Sequence, residues 1–133
     1  MNPALIFLHK FNLLSADLEI VDFTRQIQLL DSRTKIAAYS EASCTGNTVS
    51  LHLHIQLPTD FPINLQTNIA NIPSVFCPKT AKFPTVVQWK DEWSVSSSGL
   101  CYGYLGTAGG VKVSITDENT KWLDISTTYF RKV

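Results

Sequence analysis

The sequence predicts an all-β domain, an antiparallel jelly-roll-like β-sandwich of roughly 8–10 strands with a short N-terminal arm or helix. Three observations predict it. Residues 48–57 alternate strictly, with Val49, Leu51, Leu53, Ile55 and Leu57 on one face and Ser50, His52, His54 and Gln56 on the other, the period-2 pattern of a strand with one face on a core. Residues 100–133 read as three short strands joined by two turns. Between these stretches, turn signals recur so often that little room remains for helix.

Taken in order, residues 1–16 differ in character from the rest. Leu5, Leu8 and Phe11, with Phe7 and Leu14, have loosely helical spacing, and Pro3 suits a first helical turn. The segment is expected to be a short helix or an arm packing on another copy; an apolar arm laid on its own domain fits equally well. A β-sandwich head domain is expected over 17–133. Residues 18–23 and 25–30 are candidate strands, and Asp31-Ser-Arg33 is a turn. Residues 34–40 lead through Cys44-Thr-Gly-Asn47 into the strand at 48–57. A loop with two prolines follows, then a short strand over 68–72 ended by Pro73. Residues 72–78 cannot be regular ladder, because prolines remove donors at both ends. Residues 84–89 resume a strand, Lys90-Asp-Glu92 is a polar turn, and 96–99 reads as a flexible loop. Gly106-Thr-Ala-Gly-Gly110 reverses the chain, after which Val111, Val113 and Ile115 alternate with polar residues. Asp117-Glu-Asn119 breaks that pattern before the closing strand.

At 133 residues the chain is most simply one domain, large enough to bury a core without staples. It is 44% hydrophobic and 17% charged, a globular composition. Eleven basic residues balance eleven acidic ones, which argues against nonspecific nucleic-acid binding and suits a subunit that associates. Three cysteines, Cys44, Cys77 and Cys101, cannot all pair within one chain, and none has metal-site spacing. They are expected to be buried or half-buried thiols from a reducing cytosol. The apolar run at residues 4–8 is interrupted by His9 and Lys10, too short to span a bilayer and a poor signal peptide. Neither membrane insertion nor an export signal is expected.

Several residues invite chemistry. His52 and His54 lie on one face of a strand, about 7 Å apart by strand rise; zinc would need a third ligand that the sequence does not name, so no metal or other cofactor is expected. Trp89 and Trp93 flank Lys90, Asp91 and Glu92 at a predicted loop. Flat aromatics beside acids are the elements of a saccharide site, with stacking on the sugar face and hydrogen bonds to its hydroxyls. Trp89, Asp91, Glu92 and Trp93 are therefore the candidate receptor-binding residues, while Trp122 reads as packing. Asp91 and Glu92 are adjacent on an extended chain and point apart, so they cannot act as a glycosidase pair. The glycine run lacks the Gly-Lys-Ser/Thr ending of a phosphate loop, and Ser96-Ser-Ser98 lacks a nucleophile elbow. Cys101 reads as a buried thiol rather than a nucleophile. No catalytic residue is expected.

The order of features adds a resemblance. The strand NTVSLHLHIQL, the segment NIPSVFCP and the strand PTVVQW are followed by a polar loop, a G-x-V-x-V-x-I strand after a glycine turn, and the closing strand DISTTYF. This succession resembles the C-terminal head domains of bacteriophage tail fibres and receptor-binding proteins, over about residues 18–133. Heads of the tumour-necrosis-factor and complement type are the nearest competitors. The resemblance implies a homotrimer on a virion, at the tail or fibre tip, made in the host cytoplasm and partnered by other tail or fibre proteins. Its loops would bind a bacterial surface glycan or protein. In such a trimer, His52 and His54 on the outer face and Leu5 and Phe7 in the arm are the expected interface residues. The alternatives are a small jelly-roll glycan hydrolase or lyase, and a purely structural decoration of a virion or bacterial surface.

Overall fold

The computed structural model describes residues 19–132. The expected arm over 1–16, including Leu5 and Phe7, lies outside the described residues. Ten strands form among the described residues: β1 Ile20–Asp22, β2 Gln28–Leu29, β3 Lys35–Ile36, β4 Glu41–Thr45, β5 Thr48–Gln56, β6 Thr67–Asn71, β7 Thr85–Trp89, β8 Ser97–Leu105, β9 Gly110–Ser114 and β10 Trp122–Phe130. Single 3-10 turns occupy Thr24–Gln26 and Ser74–Phe76. No helix among the described residues is long and apolar enough to cross a membrane.

The strictly alternating β5 forms the spine with β10. The two pair antiparallel from Thr48↔Phe130 to Gln56↔Trp122, so that Val49, Leu53 and Ile55 meet Tyr129, Ile125 and Leu123 across the ladder, while Leu51 meets Thr127. Val49, Leu51, Leu53 and Ile55 from β5 and Leu123, Ile125 and Tyr129 from β10 are buried together. From this spine the sheet runs in the order β1-β4-β5-β10-β7-β8-β9-β6-β2, with β3 also pairing β5. The named strands pair antiparallel throughout.

The sheet bends at β8. The first part of that strand pairs β7, ending at Val86↔Cys101, and the rest pairs β9, beginning at Tyr102↔Ser114. Gly103 lies at the bend because a Cβ there would approach Val86 Cγ2 to 2.4 Å. The two ends of the sheet path, β1 and β2, are joined by residues 23–27 alone, which draws its edges toward each other. The result is one sheet curled into a half-barrel around its core. The all-β antiparallel class is as the sequence predicts, and the two limbs are continuous through β8.

Inside the curl, Phe23 stacks on Phe76 with ring centroids 4.1 Å apart. The Tyr129 hydroxyl donates to the Phe76 carbonyl at 2.6 Å, tying the proline-flanked crossover to β10. Gln88 faces inward, fully buried. Its amide is satisfied by the loop before β10: Oε1 accepts from Thr116 N–H at 2.7 Å and Nε2 donates to Thr116 Oγ1 at 2.9 Å.

Four local expectations change. Arg25 and Gln26, expected to begin a strand over 25–30, lie in the 3-10 turn Thr24–Gln26, since Asp22 Oδ1 accepts from Thr24 N–H and competes with the ladder. Residues 41–45, read as a lead-in, form β4. Ser97, Ser98 and Gly99, read as flexible, begin β8, where pairing with β7 overrides their weak strand propensity. Residues 34–40, likewise read as leading toward β5, contain the two-residue strand β3.

Candidate functional site

The outer face of the sheet assembles a cluster that the strands set by register. Asp124 of β10 lies between His54 of β5 and Val87 of β7, and Trp122 lies opposite Trp89. Asp124 Oδ1 is 2.5 Å from His54 Nδ1, and its other oxygen accepts from Trp89 Nε1 at 2.9 Å. The second imidazole nitrogen, Nε2, meets the Glu92 backbone carbonyl at 2.7 Å. The Tyr39 hydroxyl donates to the same carbonyl at 3.1 Å. Trp122 covers the imidazole in a stack, with centroids 4.7 Å apart and planes 13° apart.

His54 is therefore only 1% exposed. It occupies the outer face, as the alternation requires, yet Trp122 and the β7–β8 loop lie over it. Both histidines were expected on an open face: His52 is exposed there, whereas His54 is covered. His52 Nε2 lies 3.9 Å from Asp124 Oδ1. Because both nitrogens of His54 face oxygen acceptors, neither is free to coordinate a metal or to take a substrate proton. The histidine and aspartate instead fasten the loop's backbone to the sheet.

The loop itself, residues 90–96, is built around Asp91. One carboxylate oxygen accepts from the N–H groups of Trp93 at 2.9 Å and Val95 at 3.0 Å, and the other from Ser96 at 2.7 Å. The hydrogen bond from Val95 chiefly, with those from Ser96, Trp93 and Ser94, holds the Asp91 carboxyl below its ordinary value. Lys90 N–H closes the base on the Ser96 carbonyl at 2.9 Å. Aspartate is the residue for this task, since its short side chain reaches backbone donors a few positions on. Ser94 adopts φ 60°, the left-handed conformation that turns the tip. The loop leaves Trp93 74% and Val95 80% exposed at its apex.

Of the four residues expected to meet a receptor, only Trp93 presents its side chain freely. Trp89 is half-buried and spends its indole N–H on Asp124. Asp91 turns into its own loop, and Glu92 contributes its carbonyl to the clamp. Sequence reading placed the site in this loop but missed Val95, Tyr39 and Asp124. The last two lie far from the loop in the chain, and only sheet register brings them to it. Trp122, read as packing, is buried against His54.

Burial pushes the Cys101 thiol up to about 11, so it is held in the unreactive form. Cys44 and Cys77 are buried and Cys101 half-buried, all three unpaired. Among the described residues, no group of three or more His, Cys, Asp or Glu side chains is placed to hold a metal ion. The site thus belongs to the class of braced loops that present apolar side chains from a rigid β scaffold. Neither a protein-family model nor a curated protein matches the chain.

Proposed function

We propose that this protein is a binding module that engages a bacterial surface receptor, a saccharide or a protein, through the apex of the loop at 90–96. In its finer form, the module is a jelly-roll-like head of a phage or prophage tail fibre, trimeric and carried on a virion. One observation carries the reading: Trp93 and Val95 stand exposed on a loop whose backbone is fixed by Asp91, His54 and Tyr39. A solvent-exposed tryptophan has an apolar cost in water, and a rigid loop keeps it poised without loss of conformational freedom on binding. Both features favour recognition. A flat indole matches the apolar face of a sugar ring, and trimeric display would multiply weak single sites into avidity.

The test is Trp93→Ala in the full chain, probed against whole bacterial cells and purified cell-wall glycans. The side chain touches little of its own protein, so stability should change by no more than about 0.5 kcal/mol. As an aromatic anchor its loss should weaken binding by about 2 kcal/mol or more. Undiminished binding by a folded variant removes the loop from the mechanism.

A further inference from the structure

The cluster over the outer face presents His54 with more acceptors than a neutral imidazole can serve. His54 Nδ1 lies 2.5 Å from Asp124 Oδ1, and Nε2 lies 2.7 Å from the Glu92 carbonyl oxygen. A backbone carbonyl only accepts, and so does an ionised carboxylate. A neutral imidazole carries one N–H, so one of its nitrogens would turn a lone pair on an oxygen. The residue is 1% exposed, which leaves water no access to mend that contact. The imidazolium, with an N–H on each nitrogen, satisfies both. Asp124 is set as the anion of the pair, because its other oxygen accepts from Trp89 Nε1 at 2.9 Å. Trp122, stacked with its centroid 4.7 Å away, and Tyr39, with its centroid 5.3 Å away, put two aromatic rings beside the imidazole, a setting that favours a cation.

We propose that a proton latches the loop at 90–96 to the sheet: the tie to Glu92 forms only while His54 carries a proton on both ring nitrogens. The bond from Nδ1–H to the Asp124 carboxylate joins two charges and is the stronger of the two. The proton that leaves is therefore the one on Nε2, and the bond lost is the one to the loop. The latched form holds one proton more than the released form, so lower pH favours latching and rising pH favours release. The titratable groups that bear on the latch are Asp124 from β10, His52 from β5 itself, Tyr39 from the turn before β4 and the Glu92 side chain from the loop; β7 contributes Trp89, which does not titrate. His52 Nε2 lies 3.9 Å from the same carboxylate oxygen, but it is exposed and stands opposite Glu41, so solvent screens its charge. Burial, and then the charges of Glu92 and Asp124, hold the Tyr39 hydroxyl above its ordinary value, so it remains a donor to the Glu92 carbonyl after release. The bonds to Asp91 within the loop are also kept. Release thus loosens the loop from the sheet without dissolving its shape. On the reading that the apex meets a receptor, Trp93 and Val95 are held most firmly in the latched form.

Nitrogen-15 spectra of the His54 ring in the unmodified full chain, recorded from about pH 5 to about pH 9 with no receptor present, test this directly. An imidazolium gives two similar ring-nitrogen shifts, a neutral ring two widely separated ones. The latch is read in the same samples from nuclear Overhauser contacts between the His54 ring and the backbone at Glu92 and Trp93. Similar shifts wherever those contacts are present, and loss of the contacts as the ring becomes neutral, are the expected result. A ring that gives up its proton only when the whole protein unfolds meets the same expectation. A neutral His54 with the contacts intact, at any pH, overturns the proposal, as do contacts that are absent at every pH or that vanish while the ring is still charged. Asp124→Asn supplies a second measurement. Its amide can donate to a bare Nδ1 while its oxygen still accepts from Trp89, so a neutral ring with its proton on Nε2 meets every partner. The contacts should then persist to the alkaline end of the range, and their loss as in the unmodified chain overturns the proposal. If the variant does not fold, the spectra of the unmodified chain decide. Either result leaves the Trp93→Ala test of binding untouched.

Discussion

At the scale of single residues, the molecule separates the side chains that hold the loop from those it offers. His54 belongs to the first group. Removing it in His54→Ala leaves the Asp124 carboxylate and the Glu92 carbonyl short of a donor and takes away the ring on which Trp122 rests. Leaving a buried polar group without its hydrogen-bond partner costs about 1–3 kcal/mol. The Asp124 side chain keeps 19% exposure and the lost stack adds to the cost, so a loss of about 2–3 kcal/mol is expected, read as a lowered denaturant midpoint. Asp91 gives a pH test. Its carboxyl is held below the ordinary 3.8 in the folded loop, so the fold favours the ionised form. That contribution is complete above the unfolded value and is lost as pH falls through the lower, folded one. Amide resonances of Trp93, Val95 and Ser96 should therefore shift together below about pH 4, and Asp91→Asn should abolish that step. A titration in which these amides do not move with pH would contradict the role given to Asp91.

At the scale of elements, the long alternating strand was the most legible. Strict alternation identified β5. The Gly46-Asn47 pair ahead of it makes a two-residue turn with Gly46 at φ 61°, the first central position where a primed hairpin turn calls for glycine. The turn between β8 and β9 holds a stricter glycine. Gly109 has φ 95°, and a Cβ there would lie 2.4 Å from the Ile72 carbonyl oxygen and 2.9 Å from Cys77 Sγ. Gly99 has φ 91° with nothing within 4 Å. Gly109→Ala should thus cost about 3 kcal/mol or more, from backbone strain plus displacement of the crossover, whereas Gly99→Ala should cost only the strain, about 1 kcal/mol. Thermal unfolding of the two variants distinguishes them, and equal shifts would show that the crossover yields freely. The short elements were illegible for a matching reason. β2 and β3 are two residues each, too short to show a period, and exist because β6 and β5 supply their partners.

At the scale of the whole molecule, the outer face of β7 and β8 leaves Leu100 68% exposed, near Tyr102, with Phe83 set edge-on to Tyr102 and Tyr104. In the proposed trimer this group of apolar side chains would supply an association surface, and a neutral chain adds little repulsion between copies. Light scattering during size exclusion should give three times the chain mass of 14.8 kDa. A monomer persisting at micromolar concentration would count against the trimeric fibre head while leaving the loop's binding role to the Trp93 test.

The sequence alone determined the all-β class, the spine strand, the glycine turn between β8 and β9 and the loop that carries the candidate site, because each rests on local period or local turn chemistry. Only the tertiary structure decided that the sheet curls through β8, that His54 is a buried clamp, and that Trp93 faces solvent while Trp89 does not. Those outcomes depend on register between strands far apart in the chain: Asp124 meets His54 across one ladder, and its other neighbour β7 brings Trp89 to it from the opposite side. Alternation assigns a side chain to a face of a sheet; what then covers that face is set by loops arriving from elsewhere.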